Sequence, residues 1–237
     1  MACRQSGPFV FGPAQPGGPS PSSLERINAI DDYLLTATLS IEGTRPLLWH
    51  RFGPDALSGG RKERTGTAGN DPEEWRRTVL VTPQGQLYVE PTYAFGMLRE
   101  AARFTKKGRA SLQADLAATL QVLSERILVD RWWPGYPMGQ PFDLTTASAP
   151  ATDPTQPIYL DIRGVRNPAT RARNIRYRIA AAPGWQCAVT VAWDASIINR
   201  EQMQAIAHDA GRLVGLGNGR AIGFGRFEVV SLDRFDA

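Results

Sequence analysis

Glycine and arginine are concentrated near the C-terminus in a pattern that suits phosphate chemistry. Segment 211–230 (GRLVGLGNGRAIGFGRFEVV) contains six glycines and three arginines. Glycine tolerates positive φ angles and allows close approach to the backbone, so its amide groups become available to an anion. We predict a phosphate-binding loop made of Gly215, Gly217, Asn218, Gly219, Arg220, Gly223, Gly225 and Arg226.

Two common glycine-loop motifs do not fit this segment. A dinucleotide-binding fingerprint requires G-x-G-x-x-G after a strand, but counting from Gly215 or Gly217 the sixth position is Arg220 or Ile222. The G-x-x-x-x-G-K-[ST] phosphate loop is absent from the chain. The alternative to a binding role is that the glycines make a tight crossover between a helix and a strand.

An arginine tract precedes the glycine-rich loop. Segment 162–178 (IRGVRNPATRARNIRYR) carries six arginines and no acidic residue. Guanidinium groups match phosphate geometry and stack on bases, so the tract favours RNA binding. Pairing with acids from elsewhere in the chain and a subunit interface are the alternatives. The candidate residues are Arg163, Arg166, Arg171, Arg173, Arg176 and Arg178, with Arg45 and Arg51 as further cations upstream.

Acid–base chemistry has few candidates. His50 and His208 are the only histidines. His50 lies between Arg45 and Arg51 in sequence, which makes it the candidate general acid or base; the alternative is a histidine at a strand end without a catalytic role. Trp132, Trp133 and Tyr136 form either a stacking surface for bases or a packed corner. We predict no metal site and no cofactor.

Composition limits the class of protein. The chain has 237 residues, a formal net charge of +4 and two cysteines, too few for a disulfide framework. No apolar run has the length of a membrane span, and residues 1–24 lack the apolar core of a signal peptide. These features predict a cytoplasmic protein with no membrane partner and a flexible N-terminal tail at 1–24.

The periodicity of apolar residues predicts the elements that position these groups. Asn199 is a helix N-cap, with Gln202 completing a capping box. A turn at 83–85 indicates a hairpin, and 53–71 is a loop. Strands are predicted at 33–41, 47–52 (continuing or pairing with the first), 158–162, 185–193 and 227–232, and helices at 92–104 and 111–127.

Two motifs resemble the RAMP superfamily, the RNA-binding subunits of CRISPR effector complexes and their relatives. One is GLGNGRAIGFGRFEVV after a helix, and the other is QLYVEPTYAFGMLREAARF at 86–104. The resemblance implies an α+β fold with a ferredoxin-like (RRM-like) βαββαβ core and a C-terminal glycine-rich loop. The expected domain covers 25–237, with insertions at about 53–71 and 129–157. Its first half would be the strand at 33–41, the helix at 92–104 and the strand at 158–162.

The resemblance also implies a function. The expected protein is a guide-RNA-binding backbone subunit that polymerises along crRNA, either non-catalytic or cleaving a target RNA. Its partners would be single-stranded crRNA, a target strand, copies of itself and other effector subunits.

Three alternatives accompany this expectation. The chain resembles CRISPR RNA-processing endoribonucleases if His50 acts on the RNA 2′-hydroxyl. Asp55 is a weak candidate for target-RNA cleavage, since some backbone subunits place an aspartate on a loop after the first strand. A mobile-element homologue that replaces or inhibits a host subunit is the third.

Overall fold

A computed structural model describes residues 33–51, 53, 69–136, 140–166 and 173–235. Asp55, Arg171, the predicted tail at 1–24 and most of the predicted loop at 53–71 lie outside the described residues. Strands and helices occur in an α+β arrangement in which nearly all strand pairs are antiparallel.

The regular elements have the following bounds. Strands are β1 (Leu34–Gly43), β2 (Leu47–Leu48), β3 (Gly69–Asn70), β4 (Gln86–Val89), β5 (Lys106–Lys107), β6 (Ala110–Ser111), β7 (Gln121–Val122), β8 (Ile127–Trp132), β9 (Ile158–Arg166), β10 (Arg173–Ala181), β11 (Gln186–Asp194) and β12 (Phe227–Phe235). Helices are α1 (Glu74–Thr78), α2 (Pro91–Ala101), α3 (Gln113–Thr119) and α4 (Arg200–Asp209), the last continued by a π-helical turn at Ala210–Val214.

The larger sheet has the strand order β12-β1-β11-β8-β4, with β7 also paired to β11. Along β1 the side chains of Ala37, Leu39 and Ile41 are buried, while the intervening threonines and serine are partly exposed. This period of two places one face of the sheet on the core. The predicted strands at 33–41 and 185–193 are confirmed as β1 and β11, which pair along their whole lengths.

Helices α2 and α4 cover the buried face of this sheet and contact each other. Helix α2 contributes Met97 and Leu98 to the core, and α4 contributes Met203 and Ile206. The capping box predicted at Asn199 is confirmed, because its side chain accepts from the Gln202 amide at 2.8 Å and the Gln202 side chain accepts from the Asn199 amide at 3.0 Å.

The predicted helix at 111–127 is wrong beyond its first half. Helix α3 ends at Thr119, and the chain then becomes extended so that Val122 pairs with Val191 of β11. Ser124 accepts a hydrogen bond from the Thr190 amide in the same region. Pairing with β11 of the larger sheet therefore overrides the helical spacing of the leucines. The Leu123 side chain is exposed. Strand β8 occupies the start of the predicted insertion at 129–157.

A smaller sheet is built around β10. Strand β9 pairs with β10 in full antiparallel register, and β2 and β3 pair with the opposite edge of β10. Two expectations are corrected here. The strand predicted at 47–52 is β2 only at Leu47–Leu48, and its described residues pair with β10 and not with β1. The strand predicted at 158–162 is the first half of β9 and lies outside the larger sheet.

Tight packing at the end of β1 leads to a stability prediction. A Cβ at Gly43 would overlap the ring of Trp185, which is fully buried and donates from Nε1 to the Arg45 carbonyl at 2.8 Å. We expect Gly43→Ala to lower the free energy of unfolding by about 1–3 kcal/mol. Gly96 lies within α2, where an added Cβ would meet no atom within 4 Å, so Gly96→Ala should raise this free energy by up to about 1 kcal/mol. Urea unfolding measures both, and a Gly43→Ala protein as stable as the wild type would contradict the packing argument.

Candidate nucleic-acid interface

The glycine-rich loop begins where α4 and its π-helical turn end. Positive φ angles occur at Gly215, Gly217, Gly219, Gly223 and Gly225, and a single 3₁₀ turn spans Arg220–Ile222. Gly219 is left-handed and the turn after it is right-handed, a succession that makes backbone N–H groups converge. Within the described part of the chain, the amides of Gly219 and Ala221 donate to no acceptor.

The base of the loop is fixed to β2. The Asn218 amide donates to the Leu48 carbonyl at 2.9 Å, and the Gly225 amide donates to the Pro46 carbonyl at 2.8 Å. A Cβ at Gly217 would lie 2.7 Å from the Leu48 oxygen, and one at Gly225 would overlap the Leu216 carbonyl. These glycines are required for packing, so the crossover interpretation holds for the base of the loop while its tip remains open.

The arginine tract is the β9–β10 hairpin, and alternation along its strands divides it into two faces. Arg178 is opposite Asp161, and Arg176 is opposite Arg163, on the face that meets the glycine-rich loop. Arg166 is opposite Arg173 on the other face. The five arginines of the tract that the structure describes therefore form two separate groups of cations.

Arg178 and Arg163 join the hairpin to the glycine-rich loop. The buried Arg178 guanidinium donates to the Asn218 side chain at 2.6 Å and lies 3.4 Å from Asp161. Asp161, also buried, accepts from Arg163 at 2.8 Å, and the Arg163 guanidinium stacks over the Phe224 ring at 4.7 Å. We call these five residues the loop–hairpin latch.

A second buried acid neutralises the same face of the hairpin. Glu74 of α1 accepts from Arg176 at 2.9 Å and from the Tyr177 amide at 2.9 Å. His50 lies beside it, with Nδ1 3.9 Å from the Glu74 carboxylate, too far for a hydrogen bond. Intramolecular ion pairing, the alternative to RNA binding, therefore occurs at Arg163, Arg176 and Arg178. Of the two acids, only Glu74 comes from elsewhere in the chain.

Burial dominates the electrostatics of this region. Burial lowers the pKa of Arg178 from its ordinary value, and the carboxylate of Asp161 opposes the change. Burial also lowers the pKa of His50 below 6.5; Glu74 opposes this, whereas Arg176 and Arg178 add to it. The imidazole is therefore neutral near pH 7.

The other predicted cations are more accessible. Arg45, Arg166 and Arg173 are exposed, Arg51 pairs with Glu90 at 3.1 Å, and Arg220 pairs with Glu100 at 3.4 Å. Arg226 lines a groove of about 750 Å³ between the C-terminal end of α4 and β12. The structure thus brings the loop and one face of the hairpin together and leaves Arg45 and Arg51 outside the latch.

The tryptophan segment is a packed corner at Trp133. This ring is buried and stacks on Trp75 with centroids 5.4 Å apart. Phe142 and Tyr136 extend the cluster. A stacking role for bases is wrong for Trp133, whereas the Trp132 side chain is exposed on the sheet.

Two acids that organise the site, Asp161 and Glu74, were not among the residues predicted from the sequence. Asp161 immediately precedes the arginine tract, whereas Glu74 lies 102 positions upstream of Arg176, a separation at which no sequence pattern reveals a pair. Only Asp161 carried a local signal, since residues two apart on a strand share a face. In the part of the chain that the structure describes, no group of three or more potential metal ligands occurs and no helix has the length and apolarity to cross a membrane.

Comparisons with solved structures show a likeness in fold at low sequence identity. No protein-family model and no curated protein matches the chain. A chain in the "Cryo-EM structure of the Type III-B Cmr-beta bound to cognate target RNA" is similar at 12% identity and a TM-score of 0.43, over 90% of this chain and 64% of that one. The present chain spans less than two thirds of that chain's length. The RAMP resemblance stays a prediction.

The latch generates a stability prediction. Asp161→Ala leaves the buried Arg178 without its counter-charge, and breaking one partner of a buried ion pair costs about 3–5 kcal/mol. We expect this loss in urea unfolding. Asp143→Ala is the matched control, because the Asp143 carboxylate is exposed and, among the described residues, accepts hydrogen bonds only from Thr145 in its own turn. Equal effects of the two variants would contradict the role of Asp161.

Protonation of His50 should destabilise the fold. Because its pKa is lowered in the folded state, the unfolded chain binds a proton first, and stability falls as the pH drops below about 6.5 toward the folded-state pKa. His50→Gln should remove this part of the pH dependence, whereas His208→Gln should leave it. Unfolding free energies measured across this window test the prediction; a wild-type profile retained by His50→Gln would contradict it.

Proposed function

We propose that the protein is an RNA-binding subunit of the RAMP type, which lies along a guide RNA in a CRISPR-type effector ribonucleoprotein. One observation carries the proposal. The loop–hairpin latch holds a loop with open backbone amides at its tip against a hairpin whose opposite face presents the exposed Arg166 and Arg173, so the joined loop and hairpin offer both kinds of phosphate ligand.

The order of elements supports a ferredoxin-like core. In chain order, β1, α2, β8, β11, α4 and β12 follow a βαββαβ pattern, and the sheet order β12-β1-β11-β8 places the fourth strand beside the first. The inferred core differs from the sequence expectation in its second strand, which is β8. The remaining elements, including the β9–β10 hairpin, are insertions into this core.

The inferred mechanism relies on position and charge. The amides of Gly219 and Ala221, with Arg220 and Arg226, would hold phosphates at the loop, and Arg166 and Arg173 would extend the contact along the hairpin. Arg45 and Arg51 are further phosphate ligands. Phosphate contacts carry no sequence information, so one protein could accept any guide and leave its bases free to pair. Copies along the RNA and other effector subunits are the proposed protein partners.

A CRISPR RNA-processing endoribonuclease is the second candidate. The observation in its favour is the lowered pKa of His50, which keeps the imidazole neutral and able to accept a proton from a 2′-hydroxyl. Its position beside the buried Glu74 and the arginine hairpin gives it a structural role as well.

RNA affinity and its salt dependence test the proposal. Fluorescence anisotropy with a labelled single-stranded RNA should give tight binding that weakens linearly in log[salt]. Arg166→Ala with Arg173→Ala should weaken binding and make the slope shallower by about 1.4, since each lost contact to a single strand removes about 0.7. The melting temperature should not change, because both side chains are exposed.

The controls separate the two functions. Arg126→Ala with Arg200→Ala removes the same charge from exposed positions outside the loop and the hairpin, and should bind as the wild type does. The proposal would be contradicted if the wild-type protein bound no RNA. It would also be contradicted if the salt slope of the Arg166→Ala, Arg173→Ala variant equalled that of the wild type. Cleavage of a labelled repeat hairpin that is lost in His50→Ala and kept in His208→Ala would favour the nuclease.

A further inference from the structure

A short cationic turn follows α2. Strands β5 and β6, of two residues each, form an antiparallel hairpin around Gly108, whose φ is 64°. The turn carries Lys106, Lys107 and Arg109, all exposed, and includes two of the three lysines in the chain. Within the described parts of the chain, none of these three cations has an acidic partner. Like charges at neighbouring exposed positions repel each other unless an anion neutralises them.

Contacts lead from the glycine-rich loop along the C-terminal end of α2 to Phe104, which lies close to this turn in the sequence. Glu100 of α2 lies 3.4 Å from Arg220 of the loop and 4.0 Å from Arg103, one turn further along the chain. Arg103 stacks over Phe104 at 4.6 Å, and the Phe104 ring is 39% exposed. Strand β5, with Lys106 and Lys107, begins two residues after Phe104. Cations and an exposed aromatic ring therefore continue from the tip of the loop along one end of α2.

We propose that the lysine turn, defined as Arg103, Phe104, Lys106, Lys107 and Arg109, is a second binding site for the same single-stranded RNA. This inference rests on the proposed function. The lysines and Arg109 would contact phosphates, and Phe104 would stack on a base of the strand that leaves the glycine-rich loop. Aromatic rings interleaved with cations are the general means by which proteins bind single strands without sequence preference. An acidic protein partner would use the cations but not the exposed ring.

Amine labelling and affinity measurements together test this site. A lysine-specific acylating reagent is applied with and without a short single-stranded RNA of mixed sequence, and peptides are read by mass spectrometry. We expect RNA to protect Lys106 and Lys107. In parallel, Lys106→Ala with Lys107→Ala should weaken RNA binding about tenfold and make the salt slope shallower by about 1.4. Phe104→Leu should weaken binding with no change of slope.

One control variant separates the possible outcomes of this test. Arg126→Ala with Arg200→Ala removes the same charge and should keep wild-type affinity. If the wild type binds RNA but both lysines stay reactive and the lysine variant matches the control, the second site is overturned and the proposed function stands. If a higher protein concentration protects Lys106 and Lys107 without RNA, the turn is a contact between copies of the protein and the inference is overturned. Absence of any wild-type RNA binding would overturn both.

Discussion

A guanidinium removed from water requires a counter-charge within hydrogen-bonding reach, and Asp161 supplies it to Arg178. The same carboxylate orients Arg163, so one acid determines where two arginines point. Through Asn218 and Phe224 those arginines contact the glycine-rich loop. The Asp161 carboxylate thus organises the side-chain contacts that join the loop to the hairpin, in addition to the backbone hydrogen bonds that fix the base of the loop to β2.

Strand geometry converts a uniformly basic sequence into two surfaces with different tasks. Arginines on the latch side of the hairpin pair with Asp161 and Glu74, and Arg178 among them is buried. Arg166 and Arg173 face the other way and remain in solvent. A mutation that removes any arginine from this tract cannot be interpreted without knowing its face, because loss of stability and loss of ligand binding would both reduce activity.

The sequence predicts best those elements whose signal is local. The Asn199 cap, β1, α2 and the strand at 185–193 follow from side-chain period and capping chemistry within a few residues. Predictions fail where a distant segment decides the outcome. Val122 is extended because β11 pairs with it, and Leu47 joins the smaller sheet because β10 lies beside it. In the site, glycines and arginines were recognisable, but Glu74 is brought to Arg176 only by the fold.

The fixed base and open tip of the glycine-rich loop give its positions unequal freedom to change during evolution. Gly217 and Gly225 are closed to any side chain by the atoms of Leu48 and Leu216. Ala221 and Ile222 are exposed at the tip, where 62% of Ile222 is accessible to solvent. Substitutions at the tip can therefore accumulate while the frame stays constant, which makes this loop a natural location for variation in ligand preference among related chains.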